Sequence, residues 1–115
     1  MITRYEDRQI ERKDNFKGGE GYLVNRVILP ADGMYGKGRI FNTVTLEKNC
    51  ELGCHVHDGD GETYLVISGD SEYNDNGTVA TVRAGDVCFT DSGEGHGMKN
   101  LRDEPLVLVA LVLYC

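Results

Sequence analysis

The sequence predicts an all-β single domain in which many short strands form a barrel or a sandwich. The 115 residues are enough for one domain with one core. The chain has 15 glycines, and its apolar residues fall in short runs rich in Val, Ile, Thr and Tyr, which favour strands and turns. No useful stretch has the 3.6-residue apolar spacing of an amphipathic helix. Roughly eight to ten strands at this close spacing fit a Greek-key or jelly-roll barrel.

The N-terminal third is less regular than the remainder. Residues 1–15 are dense in charges and almost without large apolar side chains, which indicates an arm or a short edge strand, used between subunits in one interpretation. Residues 16–21 should be a loop, and Tyr22–Leu29 a strand that ends at Pro30. The glycine-rich segment 31–38 is either a flap beside a pocket or an ordinary surface loop.

From residue 39 onwards the chain alternates strand-like runs with turn signals, so residues 39–114 should form the barrel core. The Asn76-Gly77 step is typical of a hairpin turn. The last run is almost entirely apolar, so both of its faces should be covered, one by the core and the other by a second sheet or a partner subunit. The expected strands are Arg39–Leu46, Gly53–Asp58, Glu62–Ser68, Asp70–Tyr73, Thr78–Arg83, Val87–Thr90, His96–Leu101 and Leu106–Tyr114.

Composition narrows the possible partners. A net charge of −7 argues against binding to nucleic acid, and it leaves no basic face for an anionic membrane. No segment approaches the roughly 20 apolar residues of a membrane span, and the N-terminus lacks the apolar centre of a signal peptide. We therefore expect a cytoplasmic protein whose four cysteines, Cys50, Cys54, Cys88 and Cys115, are free thiols.

Two of the three histidines lie in one glycine-flanked segment. His55 and His57 are two residues apart, so a strand would direct both imidazoles to one face. Glu62 begins the next predicted strand after a Gly/Asp-rich turn, and its carboxylate could meet the two imidazoles. Cys54 should point to the opposite face, which favours a packing role over metal binding.

The third histidine, His96, follows Gly95 at the start of another predicted strand, with Met98 and Asn100 on its face. A lone histidine is usually a structural residue. Three imidazoles together with one carboxylate instead suit a transition metal, whereas Ca²⁺ and Mg²⁺ prefer oxygen ligands.

These two segments resemble the two sequence motifs of the cupin family. The first motif contains His-x-His, then Glu, then Gly at fixed spacing; the second contains Gly, then Pro-x-Gly, His and Asn. Asn49 stands where the first motif usually has Gly, and Asp91 where the second usually has Pro, and both are turn positions at which Asn and Asp are acceptable. The matching residues are His55, His57, Glu62 and Gly69 in the first motif and Gly85, Gly93, His96 and Asn100 in the second.

The resemblance implies a cupin jelly-roll barrel, also called a double-stranded β-helix, with one divalent transition metal per chain. The ion would be Mn, Fe, Ni, Zn or Co. An octahedral ion with four protein ligands keeps two positions for water or for a ligand such as a carboxylate. Family members commonly pair their sheets, which implies a homodimer. The implied metal ligands are His55, His57, Glu62 and His96.

Within the family, the chain looks closest to small single-domain bacterial members of the oxalate-decarboxylase-like group. This implies a small carboxylate, keto or sugar-like molecule that is either converted by a decarboxylase, isomerase or oxygenase or bound without reaction by a sensor. A cupin-type dioxygenase is a further alternative, against which Glu62 weighs. The candidate catalytic residues are Glu94, as proton donor or else a solvated loop residue, and Tyr64, as hydrogen-bond donor or pocket wall. Arg39 either pairs with an anionic ligand or has an exposed or intersubunit role.

Overall fold

The structure, a computed structural model, describes all 115 residues and has ten strands in two antiparallel sheets. One sheet has the order β1-β2-β3-β10-β5-β8 and the other β4-β9-β6-β7. The helical segments are three short 3₁₀ turns, and none is long and apolar enough to cross a membrane. The all-β barrel expected from the sequence is confirmed. The strands are β1 (Ile10–Asp14), β2 (Tyr22–Val27), β3 (Gly38–Leu46), β4 (Glu51–Val56), β5 (Asp60–Ser68), β6 (Asp70–Asp75), β7 (Thr78–Arg83), β8 (Val87–Thr90), β9 (Gly95–Lys99) and β10 (Leu106–Tyr114).

The last strand, β10, is the centre of the larger sheet, because β3 and β5 both pair with it. Its residues alternate between the two faces of the sheet. Leu106, Leu108 and Val112 have no exposed surface, and each such burial stabilises the fold by about 1.5–3 kcal/mol. Val109 and Leu111 lie on the other face and are only half-buried. In one chain, the outer face of β10 is therefore not fully covered.

The N-terminal segment is part of the barrel. Of the two alternatives for residues 1–15, the structure contains the edge strand: β1 pairs antiparallel with β2, and β2 with β3. Between β1 and β2, the expected loop contains a 3₁₀ turn at Phe16–Gly18 that packs on β4. The segment 31–38, in contrast, contains a 3₁₀ turn at Ala31–Met34 that packs on β3.

A β-bulge in β4 sets the direction of the first histidine. Leu52 pairs with Met98 and His55 pairs with His96, so β4 has one more residue than β9 over this interval. The extra residue places His55 on the same face as the buried Leu52, which a regular strand would not do. Gly53 lies within the bulge, and a Cβ atom there would collide with the carbonyl oxygen of Lys17. The bulge and the Phe16–Gly18 turn therefore require glycine at this position.

Asn100 connects three segments at the end of the barrel. Its side chain is fully buried, and its amide nitrogen donates to the carbonyl oxygens of Leu46 and Glu104, each at 2.9 Å. Its amide oxygen accepts the N–H of Arg102 at 2.9 Å. Asn100 therefore has a structural role. This role explains why the second motif ends in a residue that is not one of the implied metal ligands.

Replacing Asn100 by alanine should lower the free energy of unfolding by about 2–3 kcal/mol, because buried polar groups would lose their partners. Urea denaturation followed by circular dichroism measures this change. Asn25→Ala is the matched control, since the Asn25 side chain in β2 makes no hydrogen bond within the chain. Equal losses for the two variants would contradict the structural role assigned to Asn100.

Candidate metal centre

The four residues of the predicted site converge from three strands and one adjoining residue. His55 lies on β4, Glu62 on β5 and His96 on β9, while His57 directly follows β4. His57, Glu62 and His96 are at least 94% buried, and His55 is partly exposed. One possible ligand atom from each residue lies within 4.8 Å of all the others. The structure thus brings together the complete set predicted from the sequence.

The separations of these atoms fit ligands of one ion. His96 Nε2 lies 3.1 Å from His57 Nε2, 3.2 Å from His55 Nε2 and 3.1 Å from a Glu62 carboxylate oxygen. The same oxygen lies 3.2 Å from His57 Nε2. Ligand atoms bound at about 2.1 Å and at right angles are separated by about 3.0 Å, and tetrahedral ones by about 3.4 Å. These four separations lie between the two values, and the other two pairs of ligand atoms, His55 with His57 and His55 with Glu62, are at most 4.8 Å apart.

The hydrogen bonds behind the histidines leave lone pairs directed at one point, where a cation fits. His57 Nδ1 lies 2.6 Å from a carboxylate oxygen of Asp60, and His55 Nδ1 lies 2.7 Å from the carbonyl oxygen of Gly53. Both partners only accept, so in the neutral rings each Nδ1 carries the proton and each Nε2 presents a lone pair. Two such lone pairs and the Glu62 carboxylate surround His96 Nε2, whose single nitrogen could donate to one of them at most. A divalent ion would satisfy all four atoms, so the donor set fits the metal that the cupin resemblance implies.

Burial, the main cause, and the neighbouring His96 and His57 rings lower the pKa of His55, although its bond to Gly53 opposes the shift. The ring is therefore neutral at pH 7, which is the form that binds a metal.

Asp60 orients His57 and is itself held by a cation. Its other carboxylate oxygen accepts a hydrogen bond from Arg39 Nε at 2.8 Å. Burial opposes ionisation of Asp60, but the bonds from Arg39 and His57 outweigh it and lower the pKa of the carboxyl group. A carboxylate behind a metal-binding histidine fixes the tautomer and raises the basicity of the ring. Arg39 thus lies beside the site and lines its cavity, and whether it pairs with an anionic ligand stays a prediction.

His96 is held by hydroxyl groups and by an aromatic ring. Its Nδ1 lies 2.8 Å from Thr90 Oγ1 and 3.3 Å from the Tyr73 hydroxyl. The Tyr64 ring stacks on the imidazole with 5.0 Å between centroids and 12° between planes. Burial first, and then the charge of Glu62, raise the pKa of the Tyr64 phenol well above its usual value, so it remains protonated. Tyr64 therefore forms a wall of the site, and its neutral phenol is able to donate a hydrogen bond.

The metal centre opens on a cavity of about 430 Å³ between the sheets. Three of the four possible ligands line this cavity, and His96 does not. The other lining residues near the ligands are Asp60, Tyr64 and Arg39. The first part of the chain contributes Lys13, Phe16 and Lys17 from β1 and the following turn. No residue of segment 31–38 lines it, so that segment is a surface turn and not a flap over this cavity.

Two further candidates lie away from the cavity. A carboxylate oxygen of Glu94 accepts the N–H of Asp91 at 2.9 Å, which closes the loop before β9, and Glu94 does not line the cavity. Proton donation by Glu94 would require this bond to break. Cys54 is exposed, and its Sγ accepts a hydrogen bond from Asn74 on the side of β4 away from the metal ligands. All four cysteines are free thiols, as expected.

Sequence reasoning missed Asp60 and Thr90 as supports of the metal ligands. Asp60 was assigned to a turn, whereas β5 begins there, two residues before the predicted start. Asp60, Glu62 and Tyr64 share one strand face, so an earlier start would have identified Asp60. Thr90 could be identified only from its position opposite Glu62. That position depends on the register between β5 and β8, which the sequence alone does not reveal.

The chain is similar to known proteins over nearly its full length. It is 34% identical to the oxalate-binding protein of Thermotoga maritima, with 98% of this chain and 93% of that protein covered. The crystal structure of a predicted oxalate decarboxylase from Thermotoga maritima matches with a TM-score of 0.95 and 34% identity, covering both chains completely.

A second solved structure, an uncharacterized conserved protein with a double-stranded β-helix domain from Klebsiella pneumoniae, matches with a TM-score of 0.70 and 29% identity over 80% of this chain and 72% of that one. The sequence profile described as "Cupin domain" matches residues 42–113, which is more than half of the chain. Together with the two histidine motifs and the barrel, this match shows that the chain belongs to the cupin family.

Proposed function

We propose that the protein binds a small carboxylate, with oxalate as the leading candidate, through one divalent transition metal held by His55, His57, Glu62 and His96. The observation that carries the proposal is that four lone-pair donors meet at one point on the wall of a cavity. The ion would supply Lewis acidity and positive charge. The similarity to an oxalate-binding protein supports oxalate in particular.

The residues beside the metal ligands suit an anion. The Arg39 side chain is 42% exposed and uses Nε for Asp60, which leaves its terminal nitrogens free to donate to a carboxylate in the cavity. The Tyr64 phenol provides a neutral donor. Both groups would orient a carboxylate without reacting with it.

Binding without turnover is the form of the proposal that the charges support. Of the carboxylates that line the cavity, Glu62 is a metal ligand, Asp60 is paired with Arg39 and His57, and Asp58 is exposed. None of them is a buried, unpaired carboxyl group that could act as a proton donor.

The metal part of the proposal predicts close to one transition-metal ion per purified chain, measured by elemental analysis, and its loss in His96→Ala. Asp60→Asn should weaken metal binding by roughly 10–100-fold in a chelator competition, because the His57 ring loses its charged acceptor. Asp58→Asn is the matched control and should bind as the unmodified protein does. Wild-type protein that takes up no metal even after supplementation would contradict the proposal.

The ligand part predicts that oxalate gives a calorimetric binding signal with the metal-loaded protein and none with the metal-free protein. Arg39→Lys should weaken oxalate binding by about tenfold, since a lysine cannot donate two parallel bonds; its metal content is measured alongside. If the metal-loaded protein bound neither oxalate nor another small carboxylate, the proposal would be wrong. Release of CO₂ or formate from oxalate would establish turnover instead of binding alone.

We also propose that two chains pair through the outer face of the larger sheet. Leu65 lies opposite Val87, and β10 runs alongside β5. Leu65, Val87 and Phe89 are 38%, 64% and 56% exposed, and the neighbouring Val109 and Leu111 are half-buried. An apolar patch that continues across three strands is typical of an interaction site.

Light scattering should therefore give twice the mass of one chain. Phe89→Asp should shift the protein to a monomer that still binds metal, because an unpaired charge would be buried in the contact. Thr81→Asp, on the exposed strand β7, is the control. A wild-type monomer at all concentrations would rule out the pairing.

A further inference from the structure

We propose that Lys13 and Lys17 form a second anion-binding locus in the cavity, so that besides oxalate the cavity accepts a dicarboxylate whose carboxylates are separated by a short aliphatic chain. The inference rests on the proposed function, because one carboxylate is placed at the metal centre. The second carboxylate would meet the two lysines. Oxalate, whose carboxylates are directly bonded to each other, would reach the metal centre alone.

The positions of the lysines relative to the metal ligands support this arrangement. The Nζ atoms of Lys13 and Lys17 lie 5.8 Å and 5.7 Å from the centroid of the Phe16 ring. The same ring meets the His55 imidazole edge-on at 5.8 Å between centroids. The two ammonium groups are therefore one aromatic ring away from a metal ligand, and all four of these residues line one cavity.

The size and the lining of the cavity fit a ligand larger than oxalate. A volume of about 430 Å³ corresponds to roughly fourteen water molecules at about 30 Å³ each, whereas oxalate has six non-hydrogen atoms. The rest of the wall is largely apolar, which suits the methylene groups of an aliphatic chain. The apolar side chains of the lining include Phe16, Leu23, Ile40, Val44, Leu52 and Ala110.

The charges of the cavity balance for a dianion. Three cationic side chains and three carboxylates line the cavity, so with neutral histidines their formal charges cancel. A divalent ion would then leave a net charge of +2, which two carboxylates neutralise. The six charged residues are Lys13, Lys17, Arg39, Asp58, Asp60 and Glu62.

The two lysines are not committed elsewhere. Lys17 makes no ion pair, and Lys13 has one contact, at 3.5 Å, with the exposed Glu11, which stabilises little.

The turn that carries Phe16 and Lys17 is fixed to the metal-binding strand. The N–H of Glu51 on β4 donates to the carbonyl oxygen of Glu20 at 2.9 Å, and the N–H of Glu20 donates to the Glu51 carboxylate at 2.9 Å. Gly19 packs so closely on β4 that a Cβ atom there would collide with the Glu51 carbonyl oxygen. The lysine backbone therefore has a defined position relative to the histidines, as a site for a ligand of fixed length requires.

Calorimetric titration of the metal-loaded protein with glutarate, with pentanoate and with oxalate tests the inference. Glutarate and pentanoate have the same carbon chain, but pentanoate lacks the second carboxylate. We expect glutarate to bind about tenfold more tightly than pentanoate. The double variant Lys13→Met/Lys17→Met should lose most of this preference and change oxalate binding by less than about twofold.

The control is Lys37→Met/Lys48→Met, which removes the same charge outside the cavity and should keep the glutarate preference. Equal affinities for glutarate and pentanoate in the wild-type protein would overturn the inference and leave the proposed function standing if oxalate binds. An equal loss of oxalate and glutarate affinity in Lys13→Met/Lys17→Met would also overturn it, since that result indicates a general charge effect. If no carboxylate bound to the metal-loaded protein, the proposed function would fail as well.

Discussion

The structure depends on holding four lone-pair donors within 3.1–3.2 Å of a neighbour, although without a cation these atoms repel one another. Strand register supplies the restraint. The pairing of β4 with β9 sets His55 opposite His96, and the pairing of β5 with β8 sets Glu62 opposite Thr90. Each of these strands is buried on the face that carries the donor, so a one-residue slip would expose apolar side chains as well as separate the ligands. Packing energy is thus what keeps the metal centre assembled.

A second layer of contacts gives each ring its orientation. His57 is fixed by Asp60, His55 by the carbonyl of Gly53 and His96 by hydroxyl groups. The partners differ in charge, so the three rings are not equivalent ligands: a carboxylate raises the basicity of its histidine more than a carbonyl does. The chain from Arg39 through Asp60 to His57 also links a group that can contact a ligand to a group that can contact the ion. Changes at either end are therefore transmitted to the other.

The all-β class could be predicted from local patterns in the sequence, and the barrel type and the four candidate metal ligands from the resemblance of two short segments to the cupin motifs. From residue 39 onwards, apolar strand-like runs alternate with turn signals, and this pattern identified the strands. The spacing of His55, His57 and Glu62 placed these three residues on neighbouring strands. The bulge at Gly53 and the support by Thr90 depend on register between strands, which a single sequence does not reveal. Lys13 and Lys17 were missed for a related reason: residues 1–15 were interpreted as an arm or a short edge strand and residues 16–21 as a loop, and a short charged run carries no signal of what it packs against. The ligand that fills the cavity depends both on the register between strands and on the packing of the N-terminal segment. It was therefore the property that the sequence predicted least well.

Two different parts of the chain line the cavity, and this affects how the sequence can change during evolution. The match to the cupin profile begins at residue 42, whereas Lys13, Phe16 and Lys17 precede it. The four candidate metal ligands lie in one part of the chain, and another part, which contributes none of them, builds the wall of the cavity beside His55. Substitutions of Lys13 and Lys17 can thus change the lining of the cavity without removing a candidate metal ligand. Related chains could inherit one inorganic centre and yet differ in the organic molecules they accept.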